Sequence, residues 1–121
     1  GLIGGSDISE YAIKNAKLNF KNIPSGNKIT LKVSDFRKLR GLEDHLIISN
    51  PPYGKRLGDE KGVGILMKEF GDFLKNRCKN SSAFIYFGNR EMIKKIGLRT
   101  SMKLPLKNGG LDGRLTQFKL Y

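Results

Sequence analysis

Apolar residues along this chain switch repeatedly between two spacings. A short, glycine-broken run from Leu2 to Asp7 reads as a strand. Ser9 then stands as an N-cap ahead of Glu10, and Ile13, Ala16 and Phe20 recur at helical spacing until Asn22 to Pro24 stop the helix. Ile29 to Val33 alternates apolar and polar as a strand does, and Asp35 closes it. Leu46, Ile47 and Ile48 are apolar on consecutive positions, the pattern of a strand covered on both faces. Val63, Leu66, Met67, Phe70, Phe73 and Leu74 mark one face of a long helix. Ala83 to Phe87 is a further buried strand, and a short helix follows around Arg90 to Ile96. Leu98 to Leu106 and Arg114 to Tyr121 read as two strands joined by the turn Lys107-Asn108-Gly109-Gly110.

Strands alternating with helices imply an α/β fold with a mostly parallel, doubly wound sheet, closed by a C-terminal antiparallel hairpin. Ligands in such sheets sit outside the carboxyl ends of the strands. Asp7, Asp35 and Asn50 each stand at the end of an expected strand, so three polar groups are expected on one rim.

Composition narrows the class. A length of 121 residues suits one small domain, and 38% hydrophobic with 28% charged residues suits a soluble globular chain. No apolar run is long enough to cross a bilayer, and no stretch resembles a signal peptide, so no membrane partner is expected. One Cys and one His argue against a zinc site, and the single Cys78 points to a reducing, cytoplasmic setting. Cys78 reads as a packing residue, and His45, beside a buried strand, as structural. The formal net charge is +12, which predicts attraction to a polyanion, most simply nucleic acid, by phosphate neutralisation and counterion release. A solvated Lys-rich surface would carry the same charge without a partner.

The stretch Leu46 to Glu60 carries the candidate chemistry. Two prolines stiffen the loop Asn50-Pro51-Pro52-Tyr53, and Pro51 biases Asn50 away from helical angles. The Asn50 side-chain oxygen and the Pro51 carbonyl can then be held as two fixed acceptors, which suits a primary amine that must aim its lone pair. Tyr53 offers a flat face on which a base can stack. Lys55 and Arg56 follow as candidates for phosphate contacts, and Arg37, Lys38 and Arg40 extend the basic surface.

Asn-Pro-Pro-Tyr after a hydrophobic strand resembles the signature of S-adenosylmethionine-dependent amino-methyltransferases. These act on exocyclic amines of adenine or guanine, or on a glutamine amide. The longer string NPPYGKRLGD resembles the guanine-N2 methyltransferases of large-subunit ribosomal RNA, which usually carry a THUMP domain upstream. Gly5-Ser6-Asp7-Ile8-Ser9, Val33-Ser34-Asp35-Phe36 and Leu106-Lys107-Asn108-Gly109 with Thr116 to Tyr121 match further motifs in order, so the resemblance covers nearly the whole chain.

The resemblance implies a Rossmann-like methyltransferase fold with S-adenosylmethionine as methyl donor. It gives Asp7 the cofactor's ribose hydroxyls and Asp35 its adenine amine. The Phe36 amide would donate to a ring nitrogen, and Ile8 would pack on the adenine face. Asn50, Pro51 and Tyr53 become the catalytic residues, with Asn50 also beside the cofactor. RNA, most simply ribosomal RNA, is the implied partner and guanine N2 the implied target. Adenine-N6 methylation of DNA or RNA is the alternative, as is an RNA-binding fragment without catalysis. The net charge and the KRLGD continuation argue against a protein glutamine.

The chain departs from the family pattern at its start, where a first strand and a Gly-rich loop are expected. The resemblance gives a strand order of three, two, one, four, five, seven, six, and this sequence begins at the second. Residues 1–121 are therefore expected to be the C-terminal portion of one methyltransferase domain. The missing N-terminal part would be its partner, and the isolated piece would be inactive.

Overall fold

The computed structural model describes residues 2–53 and 59–121. Their elements run β1 (Gly4–Asp7), α1 (Glu10–Phe20), β2 (Thr30–Val33), β3 (Leu46–Ser49), α2 (Asp59–Arg77), β4 (Ser81–Phe87), β5 (Met102–Asn108) and β6 (Leu111–Leu120). Three short 3-10 segments lie at Gly26–Lys28, Phe36–Lys38 and Arg90–Ile96. The chain divides into two compact units, one ending at Leu39 and one running from Arg40 to Tyr121.

The first unit is a parallel β1–β2 pair with the helix that connects them. Ser9 caps α1 as expected, its hydroxyl accepting from the Ala12 amide at 3.1 Å, with Glu10 in the first turn against the helix dipole. Ile13 is the one buried large apolar side chain among this unit's described residues, and every residue of β1 is exposed.

The second unit holds the sheet β3-β4-β6-β5. β3 and β4 are parallel, joined by the crossover helix α2, while β6 is antiparallel to both β4 and β5. The hairpin turn falls on Gly109-Gly110, with Asn108 paired to Leu111, so β6 starts three residues earlier than its apolar pattern predicts. β5 starts at Met102 rather than Leu98, because the chain first leaves the 3-10 helix through Gly97 at φ 76°.

Met67, Phe70, Phe73 and Leu74 of α2 are buried, as are Ala83, Ile85, Phe87, Phe118 and Leu120 of the sheet. α2 also meets the Arg90–Ile96 segment closely. A Cβ added at Gly71 would lie 1.8 Å from the Ile96 carbonyl oxygen, so only glycine allows that approach. Among the described residues, buried side-chain polar groups are satisfied. Thr116 Oγ1 donates to the Ile85 carbonyl at 2.8 Å, and Ser81 Oγ donates to the Leu42 carbonyl at 2.6 Å while accepting from the His45 amide at 3.0 Å. Cys78 is fully buried and burial pushes its thiol pKa up, in keeping with a packing residue. Among the described residues, no helix is long and apolar enough to cross a membrane.

One expectation fails. β3 is not covered on both faces: Leu46 is 65% and Ile48 77% exposed. Ile47 and Ser49 pair with Ala83 and Ile85 on the face whose β4 residues are buried, whereas Leu46 and Ile48 pair with Ser82 and Phe84 on the other face. Among the described residues of this unit, no helix buries that second face at β3. A continuous apolar run reads alike whether its second cover is present or not.

Candidate active site

Asp7 and Asp35 come together in the first unit. Asp7 is the last residue of β1, in register with Val33 at the end of β2, and its carbonyl accepts from the Ser34 amide at 2.9 Å. Both acids therefore leave the carboxyl ends of neighbouring parallel strands, the place where this class of sheet binds ligands. Their states differ. Asp7 is exposed, and its Oδ1 accepts from the Ser9 amide at 2.8 Å, which also fixes the entry to α1. Ile8 beside it is 68% exposed, an apolar side chain on the surface at a strand end.

Asp35 is already engaged. It caps the 3-10 segment Phe36–Lys38, accepting from the Arg37 amide at 2.9 Å. The Arg37 guanidinium also grips both carboxylate oxygens, Nε at 3.0 and 3.1 Å and Nη2 at 2.8 Å. These hydrogen bonds hold the Asp35 carboxyl below its ordinary pKa. The same guanidinium lies 5.5 Å from the centre of the Phe36 ring. A carboxylate offers about four lone-pair positions, and Arg37 occupies as many contacts. An adenine amine would have to share or displace Arg37 to use Asp35.

Asn50, Pro51 and Tyr53 belong to the second unit, where the chain leaves the carboxyl end of β3. Asn50 is exposed and Pro51 and Tyr53 are half-buried. The Tyr53 carbonyl accepts from Asn89 Nδ2 at 3.5 Å. Its ring lies against Gly88: a Cβ there would come within 2.9 Å of Tyr53 Cγ and Cδ1. Because β3 and β4 are adjacent and parallel, with Ser49 opposite Ile85, the loops leaving them run side by side.

The sequence reading did not single out Gly88 and Asn89. The signal was a Gly-Asn pair immediately after a buried strand, at the same rim as Asn50. Lys55 and Arg56, expected to meet phosphate, lie outside the described residues. Of the basic residues expected to extend the surface, Arg37 is committed to Asp35. His45 holds local backbone, its Nδ1 2.6 Å from the Glu43 carbonyl oxygen. Among the described residues, no cluster of three or more His, Cys, Asp or Glu forms a metal site.

Comparison with known proteins supplies the wider context. Residues 2–117 match the family described as the RMKL-like methyltransferase domain. A Synechocystis protein provisionally named an RNA methyltransferase is 39% identical over 118 residues, 97% of this chain and 31% of that protein. A ribosomal RNA large subunit methyltransferase K/L of Pseudomonas putida is 39% identical over 75 residues, 62% of this chain and 10% of that protein. The chain thus spans a third or less of the length of these relatives.

Among solved structures, SMU.472, a provisionally assigned methyltransferase complexed with SAH, matches at 30% identity and TM-score 0.87, over 98% of this chain and 32% of that one. A Listeria monocytogenes protein described as a predicted N6-adenine-specific DNA methylase matches at 25% identity and TM-score 0.81, over 98% of this chain and 30% of that one. The fold is therefore the Rossmann-like methyltransferase fold that the sequence resemblance implied.

Proposed function

The chain belongs to the RMKL-like methyltransferase domain family, and from that premise we propose that it carries the base-binding half of an S-adenosylmethionine-dependent RNA methyltransferase. The target we assign is an exocyclic nucleobase amine, guanine N2 in ribosomal RNA. One observation carries this reading: the Asn50-Pro51-Pro52-Tyr53 elbow leaves the tip of β3 with Asn50 open to solvent and the Tyr53 ring seated against Gly88. The net charge of +12 and the ribosomal RNA enzyme among the relatives support RNA as the polyanion.

Bound S-adenosylmethionine supplies an electrophilic methyl group on a sulfonium. Asp7 and Ile8 fit its nucleoside part, an exposed carboxylate with one oxygen on the Ser9 amide beside an exposed apolar side chain for a purine. Asp35 fits with the competition from Arg37 described above. SMU.472, complexed with SAH, supports this ligand class. Asn50 Oδ1 and the Pro51 carbonyl accept the hydrogens of the target amine. They hold its lone pair in line and stabilise the positive charge that grows on the nitrogen. The nitrogen becomes acidic once it carries the methyl group, so its surplus proton can pass to solvent and no strong base is required. Tyr53 holds the base once it has left its stack.

We further assign residues 1–121 to the C-terminal portion of the domain. The strand orders β2-β1 and β3-β4-β6-β5 support this, since the resemblance implies runs of three, two and of four, five, seven, six. A first strand followed by a glycine-rich turn would then come from elsewhere in a longer protein. The open face at Leu46 and Ile48 supports this, as do relatives three or more times longer.

The test is the methylated nucleoside released from RNA treated with the full-length protein, identified by mass spectrometry. N2-methylguanosine is expected. Methyladenosine instead would establish the second reading, adenine-N6 methylation, which the Listeria protein's description favours. Calorimetry with S-adenosylmethionine separates a further case. The 121-residue chain should bind weakly and the full-length protein well; no binding by either would leave an RNA-binding module without catalysis.

A further inference from the structure

The Gly88-Asn89 dipeptide touches the proposed base pocket from a neighbouring strand. It leaves β4 as Asn50–Tyr53 leaves β3, and the two strands are hydrogen-bonded neighbours. A Cβ at Gly88 would lie 2.9 Å from both Tyr53 Cγ and Cδ1, and 3.3 Å from Leu111 Cδ1 at the start of β6. Cγ is the root of the Tyr53 ring and cannot swing aside as a flexible tip would. Any side chain at 88 therefore moves the ring. Asn89 adds a polar tie: its Nδ2 donates to the Tyr53 carbonyl at 3.5 Å, while its Oδ1 accepts from the Glu91 amide at 3.0 Å as the N-cap of Arg90–Ile96. One amide thus anchors the elbow to the start of a short helix.

We propose that Gly88 and Asn89 are positioning residues for methyl transfer: together they set where the Tyr53 ring stands, and so where a nucleobase stacked on it presents its amine. The inference rests on the reading of Asn50 to Tyr53 as the base pocket and names the part of the fold that aims it. Neither residue touches the reacting atoms. Their effect passes through Tyr53, so it disappears when Tyr53 is gone.

That coupling gives the test, made in the full-length protein with steady-state methyl transfer to RNA and thermal unfolding measured side by side. Gly88→Ala should lower kcat/KM by about 10- to 100-fold, since a displacement near 1 Å can cost that much, with most of the loss in kcat at saturating RNA. In a Tyr53→Ala background the same substitution should cost less than about threefold, because coupled sites are not additive. Asn89→Ser keeps an N-capping hydroxyl but cannot reach the Tyr53 carbonyl. It should lower kcat while leaving the melting temperature unchanged, which separates the tie from the cap, and it serves if Gly88→Ala folds poorly. Equal losses from Gly88→Ala with and without Tyr53, or an Asn89→Ser enzyme of undiminished kcat, would overturn the proposal alone. If Tyr53→Ala and Asn50→Ala themselves leave methyl transfer intact, the base-pocket reading falls, and this inference with it.

Discussion

Asn50 is the residue on which the proposed chemistry turns, and its surroundings set a sharp expectation. It is exposed at a strand tip, between a backbone committed to β3 and a proline that fixes the next φ. Replacing it with Ala in the full-length protein removes an acceptor without touching packing. Methyl transfer should fall by several orders of magnitude while RNA affinity, measured by filter binding, barely changes. Tyr53→Ala should instead weaken base capture by about 1–3 kcal/mol if stacking dominates. Asp35 gives a pH-dependent prediction. Its folded pKa is lowered, first by the Arg37 side-chain hydrogen bonds. The stabilisation is therefore present above the ordinary carboxylate pKa and is lost as pH falls through the lowered value. Arg37→Ala should return the Asp35 carboxyl towards its usual range in an NMR titration. An unchanged titration would mean that the pair does not persist in solution. Sequence could locate Asp35 at a strand end. It could not show that Arg37, two positions later in a 3-10 turn, folds back onto both oxygens.

The elements were legible where local chemistry fixes them. Ser9 announces α1 because its hydroxyl can reach the Ala12 amide, and the apolar stripe of α2 matches its buried side chains. That residues 50–53 follow β3 without helix or strand is legible for the same reason, since proline acts on its own neighbours. Contacts made across sequence were not. Gly71 reads as an ordinary helix-weakening residue, yet its missing Cβ is what admits the Ile96 carbonyl. Gly71→Ala should therefore destabilise the protein by about 1–3 kcal/mol or more through overpacking, despite its better helix propensity, as measured by urea unfolding. A stabilised variant would show that the 90–96 segment yields easily. Gly88 is the parallel case at the site: a strand-end glycine in sequence, and a seat for an aromatic ring in space.

At the scale of the whole chain, the distribution of burial is uneven. The second unit has a core from both sheet and helix, whereas the first has a two-stranded sheet, one helix and little buried apolar surface. A two-stranded pair is marginal by itself in water. Leu46 and Ile48 carry a testable consequence of the proposed missing strand and its cover. In the 121-residue chain Ile48 is 77% exposed, so Ile48→Ser should change stability by only a few tenths of a kcal/mol. In the full-length protein, if a preceding segment covers that face, the same change should cost about 1.5–3 kcal/mol. Equal effects in both would refute that cover. Sequence read this strand as covered on both faces because consecutive apolar positions give no sign of which element supplies each cover.

The lone thiol of Cys78 has a practical use. It is the chain's single cysteine, it is fully sealed at the end of α2, and its burial disfavours the thiolate that alkylating reagents require. Iodoacetamide can therefore mark it only when the surrounding layers part. The labelling rate becomes a private clock for the opening of the second unit, and the first unit contributes no signal to it. Followed by mapping the Cys78 peptide in the 121-residue chain and in the proposed longer protein, that clock would tell whether a preceding segment slows the opening.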